Sequence, residues 1–372
     1  MLHLHTPQDA VQWLRSQGCT GLQTDSRQVS PGDAFVAWPG AAVDGRAFLA
    51  QALQSGALAC LMEADGAPAD DGQSPRLASY VGLKSAAGAI ASLFFGEPSQ
   101  AMDVVAVTGT NGKTSTAWWL AQALSQLPAP WRQPCGVIGT LGVGQPPHLV
   151  ANGLTTPDPV LLQHSLQQLR EQGAKACAVE ASSIGIAEHR LDATALRVAV
   201  FTNFTQDHLD YHGSMATYWE AKRQLFAWPG LAQAVVNVDD PQGMLLADEL
   251  TDALDVWTVS AQRDARLQAR NIRHGGEGMV FDVVEGGAVH TLHTQAIGHF
   301  NVLNLLGVLA TMRCLGVPLA AAVQACTQLL PVPGRMQRLG GEGQPVVAVD
   351  YAHTPDALAQ ALQALRPLAQ AR

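Results

Sequence analysis

The chain has 372 residues, of which 47% are hydrophobic and 14% charged, with a formal net charge of −9 at pH 7. This length is too great for one ordinary hydrophobic core, so we expect two or three globular domains. The acidic balance argues against a general nucleic-acid binder and against a binder of anionic membranes.

Cysteine usage and hydropathy predict the compartment. The six cysteines are scattered without metal-ligand spacing, which predicts reduced cysteines in the core. Residues 1–9 lack the pattern of a signal peptide. The most apolar stretch, 302–323, is interrupted by Asn304, Arg313 and Pro318, so it predicts two buried segments rather than a membrane span. We therefore expect a cytoplasmic protein with no membrane partner.

Residues 1–98 predict a small α/β domain, because short apolar runs alternate with helical patterns. Strands are expected at 32–38 and 59–62, and helices at 46–55 and 85–95. Gly96-Glu97-Pro98 closes this unit.

Residues 99–330 predict a second, larger domain. An apolar strand at 103–108 is followed by a glycine-bearing turn and a helix at 116–127. Further strands and helices alternate after it, which predicts a doubly wound, mostly parallel sheet. The expected strands are 176–179, 198–202, 234–238 and 256–259, and the expected helices are 159–172, 214–226 and 301–315. Alternation around the turn 275–278 predicts an antiparallel hairpin over 270–293.

Residues 331–372 predict the beginning of a third, Rossmann-like domain. Pro331-Val332-Pro333-Gly334 has the composition of a linker, and a strand at 345–349 precedes a helix at 356–371. A single βα unit cannot bury both of its faces. We therefore expect this domain to be truncated, and any reaction that needs a complete third domain to stall before completion.

A glycine-bearing turn between a predicted strand and a predicted helix indicates a phosphate-binding loop. Its sequence is Thr108-Gly109-Thr110-Asn111-Gly112-Lys113-Thr114-Ser115. Backbone N–H groups of residues 109–115 and the positive end of the helix would hold phosphates, and Lys113 would neutralise the terminal one. The Thr114 hydroxyl would reach Mg²⁺. The G-x-x-G-K-T spacing is shorter than the general pattern, so an ordinary glycine turn with a surface lysine is the alternative.

Two further segments carry residues suited to a metal site. Glu180 ends an apolar strand, where a carboxylate can face phosphate and metal; a plain acid at the strand end is the alternative. Lys222 lies on the apolar stripe of a helix, which predicts burial and a depressed pKa. It could then react with CO₂ to form an anionic carbamate, or instead extend its amine into water.

The motifs together resemble those of the Mur ligases, in the same order along essentially the whole chain. The shared motifs are Asp25-Ser26-Arg27, Pro31-Gly32-Asp33, Asp44-Gly45, the loop 108–115, Thr155-Thr156-Pro157, Glu180-Ala181-Ser182-Ser183, the segment 203–213, Ala221-Lys222, Gly298-His299-Phe300-Asn301, Pro333-Gly334-Arg335-Met336 and Asp350-Tyr351-Ala352-His353-Thr354-Pro355. Within the family, the chain is most similar to the branch that adds the third peptide residue.

This resemblance implies a role for each matching residue. Lys113, carbamylated Lys222, Glu180 and His208 would be catalytic, and Thr114, Glu180 and His208 would form the magnesium shell. Asn301 and Asn304 match the adenine side, whereas Arg335 and Asp350 match nucleotide contacts from the linker and last domain. The positions that match substrate contacts are Thr24 and Ser26 for the uridine end, and Thr155, Thr156, Ser182 and Arg190 for the rest of the UDP-muramoyl dipeptide.

The implied reaction is an ATP-dependent amide ligation. The carboxylate of UDP-N-acetylmuramoyl-L-alanyl-D-glutamate attacks the γ-phosphate, and the amine of a diamino acid displaces phosphate from the acyl phosphate. Prevalence favours meso-diaminopimelate over lysine, and we expect a monomer. The alternatives are a related Mur ligase, a folylpolyglutamate-type ligase, or a nucleotide-binding remnant without catalysis.

Three departures from the family pattern bear on these expectations. Ile184 stands where many relatives have histidine, and Glu188 where many have glutamine, which puts part of the dipeptide contact in doubt. The Asp-Asn-Pro-Arg motif that recognises the incoming amino acid in the family does not occur in this sequence.

Overall fold

The computed structural model describes residues 1–40, 43–66, 75–275, 278–340 and 345–367. Within them the α-helices are α1 (Pro7–Ser16), α2 (Leu49–Gln54), α3 (Leu83–Phe94), α4 (Lys113–Gln126), α5 (Pro159–Glu171), α6 (Ser183–Ala187), α7 (Leu209–His212), α8 (Met215–Arg223), α9 (Pro241–Leu250), α10 (His299–Cys314), α11 (Leu319–Thr327) and α12 (Pro355–Leu365). Three 3₁₀ helices lie at Gly45–Phe48, Pro98–Ala101 and Gln224–Ala227.

The strands of the described residues follow in chain order. They are β1 (Leu2–Leu4), β2 (Gly21–Gln23), β3 (Asp33–Ala37), β4 (Ala59–Glu63), β5 (Leu77–Tyr80), β6 (Asp103–Thr108), β7 (Cys135–Gly139), β8 (Gly142–Gln145), β9 (His148–Val150), β10 (Ala176–Glu180), β11 (Val198–Phe201), β12 (Gln233–Asn237), β13 (Asp255–Ser260), β14 (Leu267–Gly275), β15 (Gly278–Glu285), β16 (Ala288–Thr294), β17 (Gln337–Leu339) and β18 (Val347–Val349).

Side-chain caps fix where several helices begin. Thr6, Asp158 and Asp240 each accept a hydrogen bond from backbone N–H groups in the first turn of α1, α5 and α9. Each of these caps is followed by a proline, whose fixed φ suits the first helical position and whose missing N–H costs nothing there.

The chain divides into two compact units. The first contains Met1–Ala101, Thr156–Gln172 and Gly185–Thr194, and the second contains the remaining segments up to Arg372. We predicted 156–172 and 185–194 within the second domain. They group with the first because α5 packs on α3, with Val160 in the same core cluster as Ile90.

The first unit is built on a five-stranded parallel sheet in the order β1-β5-β4-β3-β2. Every residue of β4 is buried, as expected for a parallel strand covered on both faces. The helix predicted at 46–55 is divided into the 3₁₀ helix Gly45–Phe48 and α2, because Asp44 caps the tighter turn at Arg46.

The second unit contains an eleven-stranded sheet in the order β16-β15-β14-β13-β12-β11-β6-β10-β7-β8-β9. The seven central strands of this order, which run from β14 through β6 to β7, are parallel. The strands β8 and β9 at one edge and β15 and β16 at the other are paired antiparallel. The order reverses at β6, which lies between β10 and β11. In open α/β sheets such a reversal places the ligand crevice at the carboxyl ends of the strands.

The predicted hairpin is part of a three-stranded meander, since β16 also pairs with β15. The second turn is formed by Gly286 and Gly287, both at positive φ, a pair that suits a two-residue hairpin turn. Two residues of the predicted turn, 276–277, lie outside the described residues. The helix predicted at 214–226 is α8 followed by a 3₁₀ turn.

The last strands and helix pack differently from the prediction. β18 pairs antiparallel with the short strand β17, which the sequence did not indicate, and α12 begins at Pro355 after the capping residue Thr354. Ala361 and Ala364 of α12 pack with Ile297 and Met336. The predicted helical residues 368–371 lie outside the described residues.

Two compositional expectations can be compared with the structure. All six cysteines are buried and free of disulfide bonds, as predicted. In the part of the chain that the structure describes, no helix combines the length and the apolar character that crossing a bilayer would require.

Candidate active site

A cavity of about 520 Å³ lies in the second unit at the carboxyl edge of the parallel strands. Its walls include the turn after β6, the end of β10, the segment after β11 and the start of α10. The strand reversal at β6 therefore brings together residues that are distant in sequence. Among the predicted residues, the cavity is lined by Thr110, Asn111, Gly112, Lys113, Thr114, Ser115, Thr155, Glu180, His208, Asn301, Asn304, Arg335 and Asp350.

The phosphate loop, residues 109–115, needs glycine at two positions. Gly109 and Gly112 have φ of 144° and 86°, a backbone region that other residues rarely adopt. A Cβ at Gly109 would overlap the Thr202 hydroxyl, and one at Gly112 would overlap the Asn304 side chain. α4 begins at Lys113, three residues before the predicted start, so its unpaired N–H groups lie at the loop.

Two lysines share one carbonyl oxygen in this loop. The Nζ atoms of Lys113 and Lys222 donate to the Gly109 carbonyl at 2.8 and 2.9 Å, and Lys113 also donates to the Thr110 carbonyl. Lys222 is 1% exposed, which excludes an amine extended into water. Burial, and then the charge of Lys113, hold the pKa of Lys222 well below its ordinary value. The predicted burial of Lys222 is confirmed.

Glu180 lies beside the phosphate loop and forms part of the cavity wall. Its Oε2 accepts hydrogen bonds from the hydroxyls of Thr114 at 2.9 Å and Thr140 at 3.2 Å, and its Oε1 accepts one from the Thr140 N–H at 2.9 Å. Burial raises the pKa of this carboxyl, and the charge of Lys113 opposes the rise. A Cβ on Gly139 would overlap this carboxylate, so the end of β7 is shaped to admit it.

His208 occupies a left-handed turn at the start of α7, with φ of 51°. Its backbone N–H donates to Asp207 Oδ1 at 2.8 Å, and its ring Nε2 lies 3.6 Å from Asp207 Oδ2. Burial lowers the pKa of His208, which favours the neutral imidazole, and the charge of Asp207 opposes the shift. A neutral imidazole facing the cavity can act as a metal ligand.

Arg335 of the linker contacts the phosphate loop, and Asp350 bonds to the next residue of the linker. Arg335 donates to the Thr114 hydroxyl at 3.3 Å, and its guanidinium lies 4.7 Å from the centre of the Tyr351 ring. Asp350 accepts from the N–H groups of Met336 and Ala352, both at 2.8 Å. These bonds fix a cation beside the place where phosphates would lie.

Asn301 and Asn304 form a buried pair on α10. Asn304 Nδ2 donates to Asn301 Oδ1 at 3.0 Å, and Asn301 Nδ2 donates to the Ile297 carbonyl at 2.8 Å. Because Asn304 also lies against Gly112, this pair is close to the phosphate loop as well as to the wall of the cavity.

The predicted substrate residues divide between the two units. Thr24, Ser26, Thr156 and Arg190 belong to the first unit, and Thr155 and Ser182 to the second. Arg190 donates to the Thr156 carbonyl at 2.9 Å. In the second unit the hydroxyls of Thr155 and Thr140 are 2.9 Å apart.

The two departures near these residues lie in different places. Glu188, in the first unit, forms a 2.6 Å ion pair with Lys84. Ile184 belongs to the second unit and is partly buried.

Sequence reasoning missed several residues that line the cavity. Thr140 follows β7, a strand that we did not predict, and holds both oxygens of Glu180. Asn203 was quoted within a motif but given no role, although it contacts the phosphate loop. The Asp240 carboxylate accepts a hydrogen bond from the Phe204 N–H at a donor–acceptor distance of 2.7 Å. A signal for Thr140 exists in the apolar run 135–138 that precedes it.

The oxygen-rich donor set of Glu180 and Thr114 fits a magnesium ion. The carboxylate is 1% exposed and lies within hydrogen-bonding distance of the Thr114 hydroxyl, in a cavity that His208 also lines. Among the described residues, no three His, Cys, Asp or Glu side chains form a closed metal cluster. Mg²⁺ is commonly held by one or two carboxylates together with substrate phosphates and water, so an open site suits it.

Three protein-family models match successive parts of the chain. "Mur ligase family, catalytic domain" matches residues 19–94, "Mur ligase middle domain" matches 107–312, and "Mur ligase, glutamate ligase domain" matches 334–372. Each match falls within one of the three predicted segments.

Individual relatives agree with these matches. The UDP-N-acetylmuramoyl-L-alanyl-D-glutamate--2,6-diaminopimelate ligase of Acidovorax sp. (strain JS42) is 59% identical over 99% of this chain and 74% of its own length. A solved structure of a ligase with the same name has a TM-score of 0.76 at 32% identity, covering 94% of this chain and 70% of that one. MurF from Thermotoga maritima in complex with ADP has a TM-score of 0.70 at 21% identity, covering 94% and 75%, and shows the shared fold alone.

Proposed function

The chain belongs to the Mur ligase family, and on that premise we propose that it joins 2,6-diaminopimelate to UDP-N-acetylmuramoyl-L-alanyl-D-glutamate in an ATP-dependent reaction. The name of the 59% identical relative supports both substrates. The observation that carries the proposal is the hydrogen bond between Thr114 and Glu180, because it joins a phosphate loop to a buried carboxylate in one cavity.

The phosphate loop would bind the β- and γ-phosphates of ATP. The N–H groups in the first turn of α4 face the cavity without intrahelical acceptors, and Lys113 supplies a positive charge. Arg335, fixed beside Thr114, supplies a second cation. These fixed charges would stabilise the negative charge that develops as the γ-phosphoryl group is transferred to the substrate carboxylate.

Thr114, Glu180 and His208 would hold magnesium. When bound, the ion neutralises charge on the phosphate oxygens. Thr140 keeps the Glu180 carboxylate in a single orientation, because its N–H donates to one carboxylate oxygen and its hydroxyl donates to the other. Asn301, Asn304 and Asp350 line the same cavity and would bind the rest of the nucleotide.

Lys222 would act as a carbamate. The nitrogen of its neutral amine forms a bond to the carbon of dissolved CO₂ and releases one proton to solvent, which leaves an anion. The shared Gly109 carbonyl supports this proposal, since two cations at one oxygen repel each other and a neutral amine at Lys222 relieves the repulsion.

The remaining substrate contacts follow from the family pattern. Thr24 and Ser26 would bind the uridine end, and Thr155, Thr156, Ser182 and Arg190 the muramoyl dipeptide. The Arg190 bond to the Thr156 carbonyl supports a shared role for these two residues. We also propose that the protein acts as a monomer in the cytoplasm.

Calorimetric titration tests the substrate class directly. UDP-N-acetylmuramoyl-L-alanyl-D-glutamate is compared with the corresponding UDP-muramoyl tripeptide and with a folate, each with and without Mg-ADP. We expect the dipeptide substrate to bind at least about tenfold more tightly than the other two, a difference of about 1.4 kcal/mol. Preferential binding of the tripeptide would indicate the ligase that adds the terminal dipeptide, and preferential binding of the folate a folylpolyglutamate-type ligase.

A further inference from the structure

The segment that follows β11, Thr202 to Thr205, is attached to the outside of the phosphate loop. Thr110 N–H donates to the Asn203 carbonyl at 2.9 Å, and the Thr202 hydroxyl donates to the Asn111 carbonyl at 2.5 Å. The overlap that a Cβ at Gly109 would produce shows how closely the two segments approach.

Asn203 contacts the apex of the loop through both ends of its side-chain amide. The Asn111 N–H donates to Asn203 Oδ1 at 2.9 Å, and Asn203 Nδ2 donates to the Asn111 carbonyl at 3.1 Å. One hydrogen bond is made to the N–H of Asn111 and the other to its carbonyl, as between paired residues of two β-strands. The two bonds together fix the orientation of the peptide groups before and after Asn111.

The pairing determines which loop groups can meet a phosphate. Because Asn203 occupies the Asn111 N–H, and because two donors satisfy the Asn111 carbonyl, neither group is directed at a ligand. The N–H groups at the start of α4 are left to bind phosphate, and the carbonyl dipole that would repel an anion is held away from it.

The same segment makes a further contact with the loop shortly before the candidate metal ligand His208 in the chain. The Thr205 N–H donates to the Thr110 hydroxyl at 2.9 Å, and that hydroxyl lies 3.1 Å from the Tyr218 hydroxyl, a fully buried group. His208 follows three residues later. The loop and His208 are thus held by one continuous stretch of chain.

We propose that Asn203 is a positioning residue, whose side-chain amide holds the phosphate loop in the shape that receives the phosphates of ATP. This proposal rests on the proposed function, since it assumes that the loop binds a nucleotide. It assigns to Asn203 no contact with the reacting atoms.

The test compares three variants with the parent protein. Asn203→Ala removes both bonds to Asn111, and Asn203→Asp keeps the acceptor but places a carboxylate against the Asn111 carbonyl. Gln206→Ala is the matched control, because Gln206 is an exposed amide directly after this segment and does not line the cavity. Calorimetry with Mg-ADP, adenosine and the UDP-dipeptide substrate measures each affinity, and thermal denaturation measures folding.

We expect Asn203→Ala and Asn203→Asp to bind Mg-ADP at least about tenfold more weakly than the parent. The alanine variant loses both bonds that order the loop, and the aspartate variant loses the donor and places a carboxylate against the Asn111 carbonyl. Affinities for adenosine and for the UDP-dipeptide should stay within about twofold, and Gln206→Ala should match the parent throughout. In turnover assays, the KM for ATP should rise in the same two variants while the KM for the UDP-dipeptide does not.

Each other outcome has a definite meaning. Unchanged Mg-ADP affinity in Asn203→Ala, or equal losses for Mg-ADP and adenosine, would overturn the positioning role. A parent protein that binds neither Mg-ADP nor the UDP-dipeptide would instead contradict the proposed function.

Discussion

The Nζ atoms of Lys113 and Lys222 both donate to the carbonyl of Gly109, at 2.8 and 2.9 Å, although the two lysines are separated by more than one hundred residues. Neither lysine is placed there by its own helix alone. The arrangement requires β6 to lead directly into the phosphate loop and α8 to present its buried face to that loop.

Lys113→Ala should abolish ATP-dependent chemistry and leave binding of the UDP-dipeptide within about twofold of the parent. Removing a preorganised charge from a phosphoryl-transfer site lowers the rate by at least about 10²-fold. ADP release in the presence of saturating substrates measures the loss. Lys175→Ala, which removes an exposed lysine of the same unit, is the control. Turnover within a few-fold of the parent would show that Lys113 does not contact the transferred phosphate.

Lys222→Ala should lose activity and regain part of it with acetate, because a small carboxylate can replace the carbamate anion. Lys113→Ala should not respond to acetate. In addition, the parent equilibrated with ¹³C-labelled CO₂ should show a carbamate carbon by NMR that Lys222→Ala lacks. A bare amine in a nucleotide-bound, CO₂-equilibrated crystal would count against the modification.

Glu180→Gln should raise the magnesium concentration needed for half-maximal activity by at least about tenfold, since the neutral amide is a poorer ligand for a hard cation. A magnesium titration of ADP release gives this value. The exposed Glu171, at the end of α5, provides the control variant Glu171→Gln. The assignment of Glu180 to the metal would be wrong if both variants showed the magnesium dependence of the parent.

Gly109→Ala should weaken Mg-ADP binding severely, because the new Cβ overlaps the Thr202 hydroxyl and the φ of 144° is strained for alanine. Gly307→Ala is the matched change. There the added Cβ meets only ordinary contacts, at 3.8 Å from Val200 and 3.9 Å from Thr116, so stability should be unchanged or slightly higher. Equal nucleotide affinity in the two variants would contradict the close packing described for the loop.

Much of the second unit could be predicted from the sequence because its signals are local. The apolar run of β6, the glycines of the loop and the start of α4 are adjacent along the chain, and Glu180 ends a recognisable strand. The stripe on α8 likewise predicted the burial of Lys222, which the structure confirms.

What could not be predicted depends on contacts between distant segments. α5 has an ordinary amphipathic pattern, and nothing in that pattern indicates that it packs on α3. The role of Asn203 requires knowing that β11 lies beside β6, which is a property of the strand order. β17 has three residues and is a strand only because β18 pairs with it.

The central claim is that this protein uses ATP to activate the carboxylate of a UDP-muramoyl dipeptide, and trapping with hydroxylamine tests it most directly. Hydroxylamine attacks an acyl phosphate, so the hydroxamate of UDP-N-acetylmuramoyl-L-alanyl-D-glutamate can be identified by mass spectrometry. We predict that it forms only when ATP and Mg²⁺ are both present, and that Lys113→Ala forms at least about 10²-fold less. Absence of the hydroxamate in a parent protein that binds both substrates, or its formation without ATP, would contradict the account.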